Sequence, residues 1–168
     1  MIDRESAFKD EILRLYRIGA ERKYAYVAHA QEIDDLCQLY VEEYVPEDKL
    51  DRYENSDIIK MMMKQMTAVY RLDPPSVGRD AELVVLVNNV KFDGEKLYIK
   101  FRKQSPLKMK RFEMQMSKAD LARKAGYPIE TLERCESNMC DLRRQPEALV
   151  NRLASILECE AEDLYSKD

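Results

Sequence analysis

The chain is 168 residues long, with 28 Lys and Arg against 32 Asp and Glu and a formal net charge of −4. With 36% charged and 45% hydrophobic residues it is not a disordered chain, and no apolar run approaches the ~18 residues of a membrane span. Four irregularly spaced cysteines argue against a disulfide scaffold, and Met1-Ile2-Asp3-Arg4-Glu5 lacks a secretory pattern, so a cytoplasmic protein without a membrane segment is expected.

Phe8, Ile12, Leu15 and Gly19 recur at helical spacing, and Ile2, Asp3 or Ser6 can start that helix. A second stripe, Ile33, Leu36, Cys37, Tyr40, Val41 and Tyr44, is one face of an amphipathic helix stopped by Pro46. A third helix is expected through Ile58, Ile59, Met62, Met63, Met66, Val69 and Tyr70. Ser56 or Asp57 would cap it, and Asp73-Pro74-Pro75 would end it. Its methionines suit a core or an adaptable binding surface. Tyr24, Tyr26, Tyr40, Tyr44, Tyr53 and Tyr70 concentrate in this half, as in a dimer or partner surface.

Val90 to Phe92, Asp93-Gly94, then Lys96 to Phe101 reads as a β-hairpin, because Asp-Gly favours the tight turn between twisted strands. Leu97, Ile99 and Phe101 alternate with Lys96, Tyr98, Lys100 and Arg102, so one face packs and the other is wet. The stretch from Asp80 to Asn89 is either a strand from about Leu83 or a helical turn. Residues 91–111 carry eight basic side chains against two acidic ones, a strip that suits a polyanion or a solvated face.

Ser105-Pro106 opens a further helix, with proline at the position where a missing N–H is harmless. Ser117 and Asp120 resemble a capping box for Lys118 to Ala125, which turns Leu121, Ala122 and Ala125 inward and stops at Gly126. Another helix runs from Tyr127-Pro128 through Leu132 and Cys135. Pro146 to Leu157 forms a further one, and a last turn lies around Ala161 to Leu164. Two short helices joined by a Gly-headed turn have helix-turn-helix geometry.

Residues 105–165, about a third of the chain, resemble the phage-repressor and Cro-type (XRE-like) helix-turn-helix family. The likeness rests on Ser117 to Gly126, on Thr131 to Glu136, on Pro146 to Leu149 with Leu153-Ala154, and on Glu162-Asp163-Leu164. It implies a five-helix DNA-binding domain whose second motif helix enters the major groove. Base-reading positions then fall on Lys118, Ile129, Glu130 and Arg134, with Pro128 and Thr131 nearby. Backbone-contacting positions fall on Lys118, Ser137, Asn138, Arg143 and Arg144. Arg134 would fork onto guanine, and Ile129 would meet a thymine methyl. Arg111 and Glu136 would form a structural ion pair, and Cys135 and Cys159 would fill the core.

Glu130 and Glu133 depart from the family pattern, because an acidic reading helix weakens phosphate-driven affinity. No catalytic residues are assigned: His29 lacks a nucleophile pattern, and no glycine-rich phosphate loop exists. Neither a metal nor a cofactor is expected, since Cys135, Cys140, Cys159 and His29 lack the paired spacing of zinc sites. The expected fold is mainly α with a small β-hairpin, divided into a helical domain (1–104) and a helix-turn-helix domain (105–168). The expected function is a sequence-specific, double-stranded-DNA-binding regulator of prokaryotic, phage or mobile-element type, a homodimer through its N-terminal half. The alternative is a non-enzymatic adaptor or antirepressor-like protein that uses a degenerate helix-turn-helix to bind a protein partner.

Overall fold

A computed structural model describes residues 6–68, 70–72, 82–137 and 139–165. The fold is mainly helical, with a small three-stranded antiparallel sheet. Two compact units divide the chain, with crossings after Tyr70, before Val84 and between Lys103 and Gln104. No helix among the described residues is long and apolar enough to cross a membrane.

In the first unit, α1 (Ala7–Ala20) starts at Ser6, whose hydroxyl accepts from Lys9 N at 3.2 Å. The same hydroxyl donates to the Glu43 carboxylate at 2.5–2.6 Å, tying the head of α1 to the tail of α2 (Ala30–Tyr44). Phe8 lies edge-on to Tyr40 and Tyr44, with ring centroids 5.7 and 5.8 Å away. Tyr40 and Tyr16 are therefore core residues, while Tyr53 stays exposed. His29 is the exposed residue at the head of α2, and its backbone N–H donates to Glu32 at 3.3 Å.

The third helix, α3 (Asn55–Met66), differs from expectation at both ends. Glu54 is the cap, and Asp57 accepts from its backbone N at 3.1 Å instead of starting the helix. The C-terminal end falls at Met66, and the Thr67 hydroxyl donates to Lys64 O at 3.0 Å. Tyr70 belongs to strand β2 (Tyr70–Leu72), which pairs with β3 (Glu82–Val84), so those backbone groups find partners in a sheet rather than a helix. Val69 and Asp73-Pro74-Pro75 lie outside the described residues. Met62 and Met66 are fully buried and Met61 and Met63 half-buried, as core residues are.

The expected hairpin is β4 (Val87–Phe92) with β5 (Leu97–Phe101), and strand structure also occupies Glu82–Val84 of the undecided 80–89 stretch. The hairpin does not stand alone. An unpredicted strand, β1 (Ala25–Ala28), completes the order β1-β5-β4, all antiparallel. Lys23 and Tyr24 enter β1 through left-handed conformations, φ 57° and 59°, so no glycine or proline marks the turn. Leu97, Ile99 and Phe101 point into the core, with α1 and α3 packed against the sheet. Val27, Tyr98 and Lys91 form one paired row on the opposite face, and Ala25, Lys100 and Asn89 form the next.

The second unit contains α4 (Pro106–Glu113), α5 (Lys118–Ala125), α6 (Ile129–Glu136) and α7 (Glu147–Ile156), with 3₁₀ turns at Leu142–Arg144 and Ala161–Leu164. The last turn expected around Ala161 to Leu164 is thus a 3₁₀ turn over those residues. Leu107, Leu121, Leu132, Leu149, Leu153, Leu157 and Leu164 form the centre of its core.

Candidate nucleic-acid interface

Helix α5 begins at Ser117, whose buried hydroxyl accepts from Asp120 N at 3.0 Å. The Asp120 carboxylate pairs with Arg123 at 2.8 Å. The helix ends at Gly126 in the left-handed region, φ 74°, where a side chain would be strained. Tyr127 N then donates to Ala122 O at 3.1 Å, and Arg152 of α7 donates to Ala125 O at 2.9 Å. Those two bonds satisfy carbonyls at the end of α5 and fix the turn. Pro128 is extended, φ −60° and ψ 148°, and starts α6 three residues after α5 stops.

Helix α6 turns Leu132, Cys135 and Glu136 inward and leaves Glu130, Glu133 and Arg134 exposed. Ile129 and Thr131 are half-buried. Ile129 packs against the core, and Thr131 lines a small apolar cavity with Tyr127, Leu132 and Leu149. The exposed face is therefore narrower than the run Ile129 to Arg134. Glu130 lies in the first turn and Arg134 in the last, which complements the dipole of a helix lacking a side-chain cap.

The orientation of α6 against α4 rests on a buried ion pair. Arg111 is fully buried, and Glu136 is 7% exposed. Arg111 Nε donates to Glu136 Oε2 at 2.6 Å, Nη2 to Oε1 at 3.0 Å, and Nη1 to Met116 O at 3.0 Å. Two parallel charge-assisted bonds set the angle as well as the distance between the helices. The guanidinium also stands 4.7 Å from the centre of the Phe112 ring.

After α6 the chain folds back through short local bonds. Ser137 Oγ accepts from Met139 N at 3.2 Å, and Asp141 accepts from Arg143 N at 3.0 Å. Buried Leu142 anchors this loop, and Arg143 lies 5.0 Å from the Tyr165 ring centre. Arg134, Ser137, Arg144, Asp141 and Met139 surround one open groove of about 320 Å³. Arg144 is exposed, with its guanidinium 3.9 Å from Asp141. Arg134 makes no ion pair among the described residues. Lys118 is half-buried at the start of α5, and Asn138 lies outside the described residues. Of the sequence-derived positions, Arg134, Ser137 and Arg144 thus share a groove, while Ile129 and Thr131 turn partly inward.

Burial pushes the Cys135 thiol up to about 11, with neighbouring Cys140 adding to the effect. Cys159 is half-buried and packs against the core, its thiol also raised by burial. The sequence reading missed the tie from Arg152 to the turn and the stack of Arg143 on Tyr165. Both join residues that no periodicity relates. It also missed Met139, 97% exposed beside the arginine groove. Compared with protein-family models, characterised proteins and solved structures, the chain matches none.

Proposed function

We propose that this chain is a sequence-specific regulator that binds double-stranded DNA through residues 105–165, which resemble the phage-repressor and Cro-type family. The observation that carries this reading is the pair α5–α6. A three-residue turn joins the helices, the Arg111–Glu136 pair clamps α6 from beneath, and Arg134 stands on the outer face. In this reading α6 enters the major groove and Arg134 reads guanine. Lys118, Ser137, Asn138, Arg143 and Arg144 hold phosphates and set the register. Glu130 accepts from cytosine, and Pro128, Ile129 and Thr131 shape the entry of the helix.

One small module buries a limited interface, so two half-sites and a homodimer joined through the N-terminal half go with this function. The experiment is selection of binding sites from random duplexes by the full chain, repeated with Arg134→Ala. A recovered motif that loses one preferred base in the variant, with a discrimination loss of about 1–3 kcal/mol there, supports the reading. No enrichment at low salt overturns it.

Glu130 and Glu133 favour a second reading, in which the same surface docks a protein partner as an adaptor or antirepressor would. Salt titration separates the two. Duplex binding at low salt that weakens steeply with added salt supports the first reading, and failure to bind any duplex at low salt supports the second.

A further inference from the structure

The three-stranded sheet of the first unit has an outward face of mixed aromatic and basic character. In its central row Tyr98, 42% exposed, is flanked by Val27 on β1, 38% exposed, and by Lys91 on β4. Lys100 and Asn89 stand in the next row, and Arg102 follows on the same side by alternation. Lys91, Lys100 and Arg102 are exposed and make no ion pair among the described residues. Two acids occupy the hairpin turn. Glu95 is exposed, and Asp93 accepts from Glu95 N at 2.8 Å, Lys96 N at 2.7 Å and the Tyr98 hydroxyl at 3.3 Å. That last bond leans the ring along β5 towards the turn.

We propose that this face binds single-stranded nucleic acid, with Tyr98 as the stacking platform and Lys91, Lys100 and Arg102 as phosphate contacts. Neighbouring strands stand about 4.8 Å apart and outward residues on one strand about 6.7 Å apart, so Lys91 lies directly across from Tyr98, Lys100 one row away and Arg102 about two rows away, on the side opposite the acidic turn. Unpaired bases have free faces that stack on an exposed aromatic ring whatever the sequence, and a basic surface tracks their backbone. A duplex keeps its bases stacked on one another and would leave Tyr98 and Val27 uncovered. Tyr98 and Val27 are the two large exposed apolar side chains of this face among the described residues, a small apolar centre for an interface with a second copy. The inference does not rest on duplex binding by α6.

The test is fluorescence anisotropy of the full chain with labelled oligothymidine and oligouridine of about 12 nucleotides, within the usual single-strand site size. Phosphatidylserine vesicles serve as a third probe. Tyr98→Leu is expected to weaken oligonucleotide binding about fivefold or more, and Tyr98→Phe, which keeps the ring, to stay within about twofold. Lys91→Gln combined with Lys100→Gln is expected to flatten the log–log salt slope by about 1.4, at about 0.7 per phosphate. Binding of either oligonucleotide with this pattern supports the proposal. It is overturned if neither oligonucleotide binds at low salt, if Tyr98→Leu binds like the parent, if the salt slope is unchanged, or if only vesicles bind.

Discussion

Replacing Arg111 by methionine tests the physical core of the second unit. The guanidinium is fully buried and gives two bonds, at 2.6 and 3.0 Å, to a carboxylate that is itself 7% exposed. In Arg111→Met the Glu136 carboxylate keeps its burial and loses both bonds, while Met116 O loses its 3.0 Å donor. Stranding one partner of a buried pair costs about 3–5 kcal/mol. A unit of about 60 residues holds roughly 3–9 kcal/mol in total at 0.05–0.15 kcal/mol per residue. The substitution therefore removes much or all of its stability, and a melting temperature lower by at least about 12 °C is expected.

The assay is thermal and urea unfolding of the full chain, with amide hydrogen exchange to localise the loss to 105–165. The double variant Arg111→Met with Glu136→Met strands no charge, so it is expected to be more stable than Arg111→Met alone. Equal melting of the parent and Arg111→Met would refute the argument. So would a double variant that loses the sum of the two single losses.

Other substitutions probe the backbone and the thiols. A Cβ on Gly19 would lie 2.8 and 2.9 Å from Phe101 ring atoms and 3.3 Å from Ala25 O, so Gly19→Ala is expected to lose about 1–3 kcal/mol in urea unfolding. Unchanged stability there would disprove the close approach of α1 to the sheet. Gly126→Ala places a side chain at φ 74° and 3.3 Å from Arg152, with an expected loss of about 1–2 kcal/mol, read from the same titration. Burial pushes the thiols of Cys37 and Cys135 from an ordinary 9.0 to about 11, with Asp34 adding to the first shift and Cys140 to the second. At pH 8 buried Cys135 and half-buried Cys37 are expected to react slowly with iodoacetamide in the native state and fast in urea, and native labelling of Cys135 as fast as in urea would contradict its burial. Because the native values lie above the ordinary one, the linked stabilisation is complete below pH 9 and is lost as pH rises towards 11. A stability profile flat across that range would count against it.

Local chemistry made much of the chain legible from its order of residues. Ser105-Pro106, Ser117 and Gly126 set the limits of α4 and α5 because caps and left-handed stops depend on residues within one helical turn. The alternation of Leu97, Ile99 and Phe101 fixed which face of the hairpin is buried, for the same reason of short range. Strand β1 was hidden: four residues carry little pattern, their turn uses Lys23 and Tyr24 in left-handed conformations, and their partners on β5 lie some seventy residues away. The end of α3 at Met66 was hidden too, since the apolar stripe runs on to Tyr70 while β3 competes for that backbone. At the candidate interface, the family resemblance implied an outward Arg134 and a pair between Arg111 and Glu136. Only the packed unit turns Ile129 and Thr131 partly inward and brings Arg134 beside Arg144. Caps and periodicity act along the chain, whereas a strand's partner and the neighbour across a groove are set by contacts between distant segments.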